Sequence, residues 1–278
     1  MASYLRPTSI EEALLALAER PLTMLAGGTD IYPARVGKWV GDDILDVTAL
    51  PELRAIVVTD DVIRIPALAT WTDVIRADLP PAFDGLKGAA RAVGGVEIQH
   101  RGTVAGNLCN ASPAADGLPN LMALDARVEL VSAAGRREVP VGEFVVGNRR
   151  TIRRPDELVT AVLVPRAGSS TRSAFLKLGS RAYLVISIAM VAVVVELGDE
   201  GAISTARIVV GACSEVPQRV GGAEARLVGR APAAELADEI TAADLAGLSP
   251  IDDVRATAAY RRDAALTLVR RAVAQVLA

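Results

Sequence analysis

Two glycine-bearing stretches offer the clearest chemistry in this sequence: AGGTD at residues 26–30 and RGTVAGN at residues 101–107. Glycine lets successive backbone N–H groups turn toward one point, and such a nest holds an anion such as a pyrophosphate without any arginine. Two nests from distant segments suit a dinucleotide gripped from both sides. The competing reading is that Gly27, Gly28 and Gly106 only make tight turns, and neither stretch is specific alone. No G-x-G-x-x-G follows a strand and no G-x-x-x-x-G-K-[ST] occurs, so the Rossmann and P-loop solutions both fail. Other reactive residue types are scarce. His100 is the only histidine, and Cys109 and Cys213 are the only cysteines. That excludes two-histidine zinc sites, HExxH proteases and four-cysteine iron–sulfur or zinc sites built from this chain alone.

The elements that must position these loops are legible in outline. At 278 residues, with 51% hydrophobic and 23% charged, the chain is expected to form about two domains with ample core. Thirty Lys and Arg against 33 Asp and Glu leave a net charge of -3, with no basic excess for phosphate backbones, so nucleic acid is not expected as a partner. Ser9 with Glu12 has capping-box spacing and predicts a helix over 10–19; Thr70 with Asp73 predicts another to about 77. Strands are predicted at 23–26, 44–47, 54–58 and 62–66, and a helix at 83–93. Residues 93–117 show almost no periodicity and read as a long functional loop, followed by a helix over 113–124. A hairpin around Gly135 and a strand at 157–164 complete the first part. Pro, Gly and Ser accumulate at 165–171 and mark the domain boundary. Three strand-like runs then precede helical segments at about 219–229, 233–241 and 252–277, which is an α+β order. The apolar run 182–197 is shorter than the roughly 18 to 20 residues of a bilayer span and reads as a buried strand. No secretion signal is visible, so both cysteines are expected as buried thiols of a reducing cytoplasm.

Five collinear segments carry a resemblance: LAGGTDI at 25–31, LDVTALPEL at 45–53, HRGTVAGNLCNASPAADGLPNLMALDA at 100–126, FLKLGSRAY at 175–183 and YRRDAALTLVRRA at 260–272. Together they resemble the FAD-binding medium subunit of the molybdenum hydroxylases, the family of xanthine dehydrogenases, carbon monoxide dehydrogenases and nicotine or isoquinoline oxidoreductases. The resemblance implies an α+β fold: a two-part FAD-binding domain of the vanillyl-alcohol oxidase type over 1–168, with parts at about 1–53 and 54–168. A smaller α+β domain over 169–278, a three-stranded sheet plus helices, follows. It implies FAD on this chain, with a molybdenum cofactor on a large partner subunit and [2Fe–2S] clusters on a small one, assembled as a dimer of heterotrimers in the cytoplasm. NAD+ or dioxygen would accept the electrons. The first loop reads GGTD rather than the glycine-glycine-histidine-serine typical of the carbon monoxide enzymes, which moves the expectation toward heterocycle hydroxylases.

Position by position, the resemblance lays Leu25, Ala26, Gly27, Gly28, Thr29, Asp30 and Ile31 along the pyrophosphate, with Thr103, Gly106 and Asn107 as the second loop. It sets Asp116 on the ribityl or ribose side, where a carboxylate accepts from sugar hydroxyls; the alternative is a first-turn carboxylate favoured by the helix dipole. Lys177, one of only three lysines, is read as a point-charge contact to the flavin nucleotide or as a surface lysine. Tyr183 is read as a gate near the flavin ring or as a strand-end tyrosine. His100 is expected to stabilise its loop by a hydrogen bond. Ala105, where many relatives have glycine, requires a negative φ or tolerated strain. Two rivals remain: a free-standing FAD oxidase with its own substrate, and a scaffold that has lost its flavin. Because two cysteines cannot ligate a cluster, the isolated chain is expected to contain no iron; stoichiometric iron and sulfide by elemental analysis would contradict this.

Overall fold

The computed structural model describes residues 2–37 and 41–278. The chain opens with β1 (Tyr4–Leu5), α1 (Ile10–Glu19), β2 (Thr23–Leu25) and β3 (Ile44–Asp46), forming a parallel sheet in the order β1-β3-β2. Helix α1 begins where its signal lies: Ser9 Oγ accepts from Glu12 N at 3.2 Å, and Glu12 reaches back to Thr8 N at 2.8 Å. Its apolar positions Ala13 and Leu17 are buried.

Next come β4 (Val57–Val58), β5 (Val62–Pro66), α2 (Trp71–Arg76), α3 (Asp84–Ala92), α4 (Val96–Arg101), α5 (Val104–Asn110) and α6 (Gly117–Ala123). The capping box of α2 is complete between Thr70 and Asp73. The long aperiodic loop expected over 93–117 instead folds into α4 and α5, a correction with a physical cause. Both helices are short, and α5 is fixed from outside: Thr70 bridges Thr103, Trp71 N donates to Gly102 O at 3.1 Å, and Val104 N donates to Ala69 O at 3.1 Å. Tertiary pinning of this kind leaves no periodic trace.

Strands β6 (Arg127–Ser132) and β7 (Gly135–Pro140) form the hairpin around Gly135, and α7 (Val141–Phe144), β8 (Val145–Gly147), β9 (Arg150–Thr151) and β10 (Leu158–Pro165) follow. The second sheet runs β4-β5-β10-β6-β7. Its central strand β10 is buried along both faces, which explains the unbroken apolar run LVTAVLV. Thr160 sits at a register shift between β10 and β6, and its hydroxyl donates to the buried Glu129, which Arg64 and Arg136 also hold.

The remainder forms β11 (Thr171–Leu178), β12 (Ala189–Leu197), β13 (Ile203–Gly211), β14 (Gln218–Arg219), α8 (Gly221–Leu227) and α9 (Ala258–Leu277). The sheet has four strands, not the three expected, because Gln218 and Arg219 pair with Val210 and Val209 where a helix start was predicted. The segment 234–239 is 3-10 helix. Helix α9 lays Ala265, Val269, Ala272, Val273 and Val276 onto a core separate from that of the first two sheets. Within it, buried Arg261 donates to Ile188 O at 2.6 Å and to Asp253 at 2.7 Å.

Glu157, buried at the entry to β10, accepts Arg137 Nε and Nη2 at 2.6 and 2.9 Å and Arg154 N at 2.7 Å. The Arg137 guanidinium, ahead of burial, holds this carboxyl below its ordinary range. A depressed carboxylate contributes stability that is complete above the unfolded value and is lost as pH falls through the folded one. Glu157→Gln should therefore cost about 2 kcal/mol at neutral pH, and the gap to wild type should close under acid conditions, as measured by denaturant unfolding at both.

Candidate functional site

A cleft of about 670 Å³ runs between the parallel sheet and the five-stranded sheet, within the range of small-molecule and cofactor sites. The two glycine stretches form one wall and touch there. A Cβ on Gly27 would lie 2.0 Å from Arg101 O, so the first loop lies backbone-on-backbone against the end of α4. Gly28 has φ +73, and a Cβ there would strike the Tyr32 ring at 2.6 Å. Both glycines are required by space, and Gly28 by backbone conformation as well. Thr29 Oγ1 faces Gly102 across the same contact.

The second stretch differs in form from the nest expected. Thr103 is the N-cap of α5, its side chain accepting from Gly106 N at 2.9 Å, while Asn107 N donates to Thr103 O at 3.0 Å. With Val104 N held by Ala69 O, helix capping already uses most of these amides. Ala105 lies in this helix, and its φ is not positive. Asn107 Oδ1 is buried with no hydrogen-bond partner among the described residues, although Asn107 lines the cleft. An acceptor left in that position suits a ligand donor.

Of the residues singled out from sequence, Ala26, Gly27, Gly28, Thr29, Asp30, Ile31, Thr103, Gly106 and Asn107 all line the cleft. Leu25 does not: its side chain is buried beneath Gly28, and it serves as support. Asp116 and Lys177 lie outside the lining and meet each other instead, Lys177 Nζ to Asp116 Oδ2 at 2.6 Å, with Ser187 Oγ on Asp116 Oδ1 at 2.6 Å. Asp116 is neither an exposed first-turn carboxylate nor Lys177 a surface lysine, since both are largely buried. Burial raises the Asp116 pKa, and the Lys177 ammonium works against that rise. Tyr183 is exposed on the loop between β11 and β12. His100 is exposed at the end of α4 and has no side-chain partner among the described residues, so the expected loop hydrogen bond is absent from its ring.

Sequence reasoning missed the far end of the cleft. Arg149, at φ +55, donates to Asn110 Oδ1 at 2.7 Å, and Arg153 lies close by; both line the cleft from the β8–β9 side. The run RRTIRR at 149–154 was the available signal. Cys109 also corrects an expectation: Cys213 is buried, but Cys109 opens onto the cleft. Protein surrounds its thiol on the other sides, and this desolvation pushes its pKa up to about 11, opposed by Arg153.

The geometry defines a two-domain α+β chain with a dinucleotide-sized cleft walled by glycine backbone. Residues 1–167 match the family described as FAD binding domain in molybdopterin dehydrogenase, and residues 174–276 match the CO dehydrogenase flavoprotein C-terminal domain. The nicotinate dehydrogenase FAD-subunit of Eubacterium barkeri is 33% identical over 81% of this chain and 79% of its own length. The glyceraldehyde dehydrogenase medium chain of Sulfolobus acidocaldarius is 30% identical over 99% and 98%. Among solved structures, carbon monoxide dehydrogenase from Hydrogenophaga pseudoflava superposes with a TM-score of 0.90 at 27% identity, over 99% of this chain and 96% of that one. The chain belongs to the FAD-binding subunit family of the molybdopterin dehydrogenases, an oxidoreductase family.

The residues fit that cofactor: cleft volume, a glycine wall with no room for Cβ atoms, and an unpartnered acceptor at Asn107. Gly27→Ala should lower FAD affinity by at least about 100-fold, or ~2.7 kcal/mol, by driving the two loops apart. Gly221→Ala, in open space, should leave affinity unchanged. Fluorescence titration of FAD into the purified variants measures both.

Proposed function

We propose that this chain is the flavin subunit of a heteromeric molybdenum hydroxylase. One observation carries the reading: two glycine stretches from distant parts of the chain meet in backbone contact at one wall of a dinucleotide-sized cleft. FAD held there would supply the redox chemistry that links one-electron donors to an acceptor such as NAD+ or dioxygen. Residues 26–31 present backbone to the pyrophosphate, and Thr103, Gly106 and Asn107 close the second side. The Asp116–Lys177 pair backs the sugar side, and Tyr183 gates the ring edge. Cys109 and the apolar lining exclude water from the cofactor without entering its chemistry.

No group of three or more His, Cys, Asp or Glu poised for a metal occurs among the described residues. The proposed division of labour puts the molybdenum cofactor on a large subunit and the [2Fe–2S] clusters on a small one, as a dimer of heterotrimers, supported by relatives named as medium chains or medium subunits. No helix among the described residues is long and apolar enough to cross a membrane, in keeping with a cytoplasmic complex. A purine or other N-heterocycle is the proposed substrate class, supported by the GGTD loop and by relatives named for nicotinate and xanthine. The FAD-loaded chain alone, mixed anaerobically with such a heterocycle in stopped flow, should keep its flavin oxidised; adding the two partner subunits should let it bleach. Bleaching by the chain alone would instead establish a free-standing oxidase.

A further inference from the structure

Residues 179–188 connect β11 to β12, and both limbs of this loop are fastened to one side chain of the other domain. Asp116, immediately before α6, accepts from Lys177 near the end of β11 through one oxygen and from Ser187, two residues before β12, through the other, each at 2.6 Å. Lys177 also donates to Ala92 O at 3.3 Å, which ties the first limb to α3. The second limb is held again one residue on, where Ile188 N donates to Leu178 O at 2.8 Å and Ile188 O accepts from Arg261, but Ser187, only 2% exposed, is its one side-chain hold on Asp116. Between the anchors the loop stands in solvent, with Tyr183 at 76% and Leu184 at 57% exposure. Arg181 Nε donates to Leu184 O at 3.1 Å inside the turn, and Leu184 has φ +51. The Leu184 side chain reaches over Gly95, between Val93 and Ile98 of the cleft lining.

An exposed loop with few apolar contacts is ordered by its hydrogen bonds, and losing one anchor releases the residues beside it. We propose that Ser187 is a positioning residue: its hydroxyl closes the second half of a clasp through which Asp116 sets where Tyr183 and Leu184 stand over the cleft rim. The flavin-facing part of this role rests on the proposed function, in which the rim is the edge of the FAD site. Lys177 is the one charged group facing Asp116 among the described residues. Ser187 therefore has no substitute on the other carboxylate oxygen.

The test is limited trypsin digestion of the FAD-loaded full chain, reading cleavage after Arg181, inside the loop, against cleavage after Arg230, an exposed site beside the start of β13, at the other end of the sheet from the clasp. Ser187→Ala should raise this ratio about tenfold, Ser187→Cys, close in size but a weak donor, should raise it less, and Ser187→Thr should stay within about twofold of wild type. Equal ratios in all four proteins, or a rise in Ser187→Thr matching that of Ser187→Ala, would overturn the clasp. If Ser187→Ala does not fold, the order of Cys above Thr decides in the same way. A wild-type chain that takes up no FAD would overturn the cofactor reading instead, and the ratio measured on the unloaded chain would still decide whether Ser187 holds the loop.

Discussion

The cleft exists because two stretches of backbone approach more closely than any side chain allows. At Gly27 the space a Cβ needs is taken by the Arg101 carbonyl, so the parallel sheet that delivers the first loop and the helices that deliver the second are locked at one distance. That distance depends in turn on Trp71, buried behind the contact, whose backbone N–H holds Gly102 O. Trp71 also lies so close to Gly117 that a Cβ there would meet its ring at 2.4 Å. One indole thus sets the spacing of the second loop from α6, and through α6 the place of Asp116. Glycines 27, 102 and 117 form a single spacing device rather than three independent turns.

Electrostatics then separate the two ends of the site. Near the glycine wall the lining is mostly backbone and neutral side chains, with Asp30 and an Arg35 paired to Asp42 as its charged members, while Arg149 and Arg153 bring positive charge at the far end without a carboxylate partner among the described residues. Neutral donors in a partly dry cleft bind an anion without the desolvation cost of a buried ammonium. The two arginines are instead satisfied by an amide oxygen and by carbonyls, so they keep their full charge toward the cleft.

Legibility followed locality. The caps of α1 and α2 need residues three apart, and Ser9, Glu12, Thr70 and Asp73 display them. The β6–β7 hairpin is equally local, turning at Gly135 with φ +136. The glycine loops were visible as residue types, but the contact between Gly27 and Arg101 joins segments that nothing in the string pairs. For the same reason α4 and α5 escaped notice: what holds them is Trp71, Thr70 and Ala69, and their length is too short for a period to emerge. Strand β14, with two residues, exists only because β13 offers an edge beside it.

The clasp at Asp116 follows from the same reasoning about burial. A carboxylate taken out of water is destabilised, which is why its pKa rises even with an ammonium at 2.6 Å. Such a pair is favourable only when the remaining lone pairs are also bonded, and here the second oxygen is bonded by Ser187. The three groups come from two domains: Asp116 from the helices under the cleft, Lys177 from strand β11 of the other sheet and Ser187 from the loop that enters β12. Packing the domains and satisfying Asp116 are therefore one event, because separating them would leave a charge half buried on each side. The loop carrying Tyr183 inherits its position from that event, since it begins and ends at the two donors.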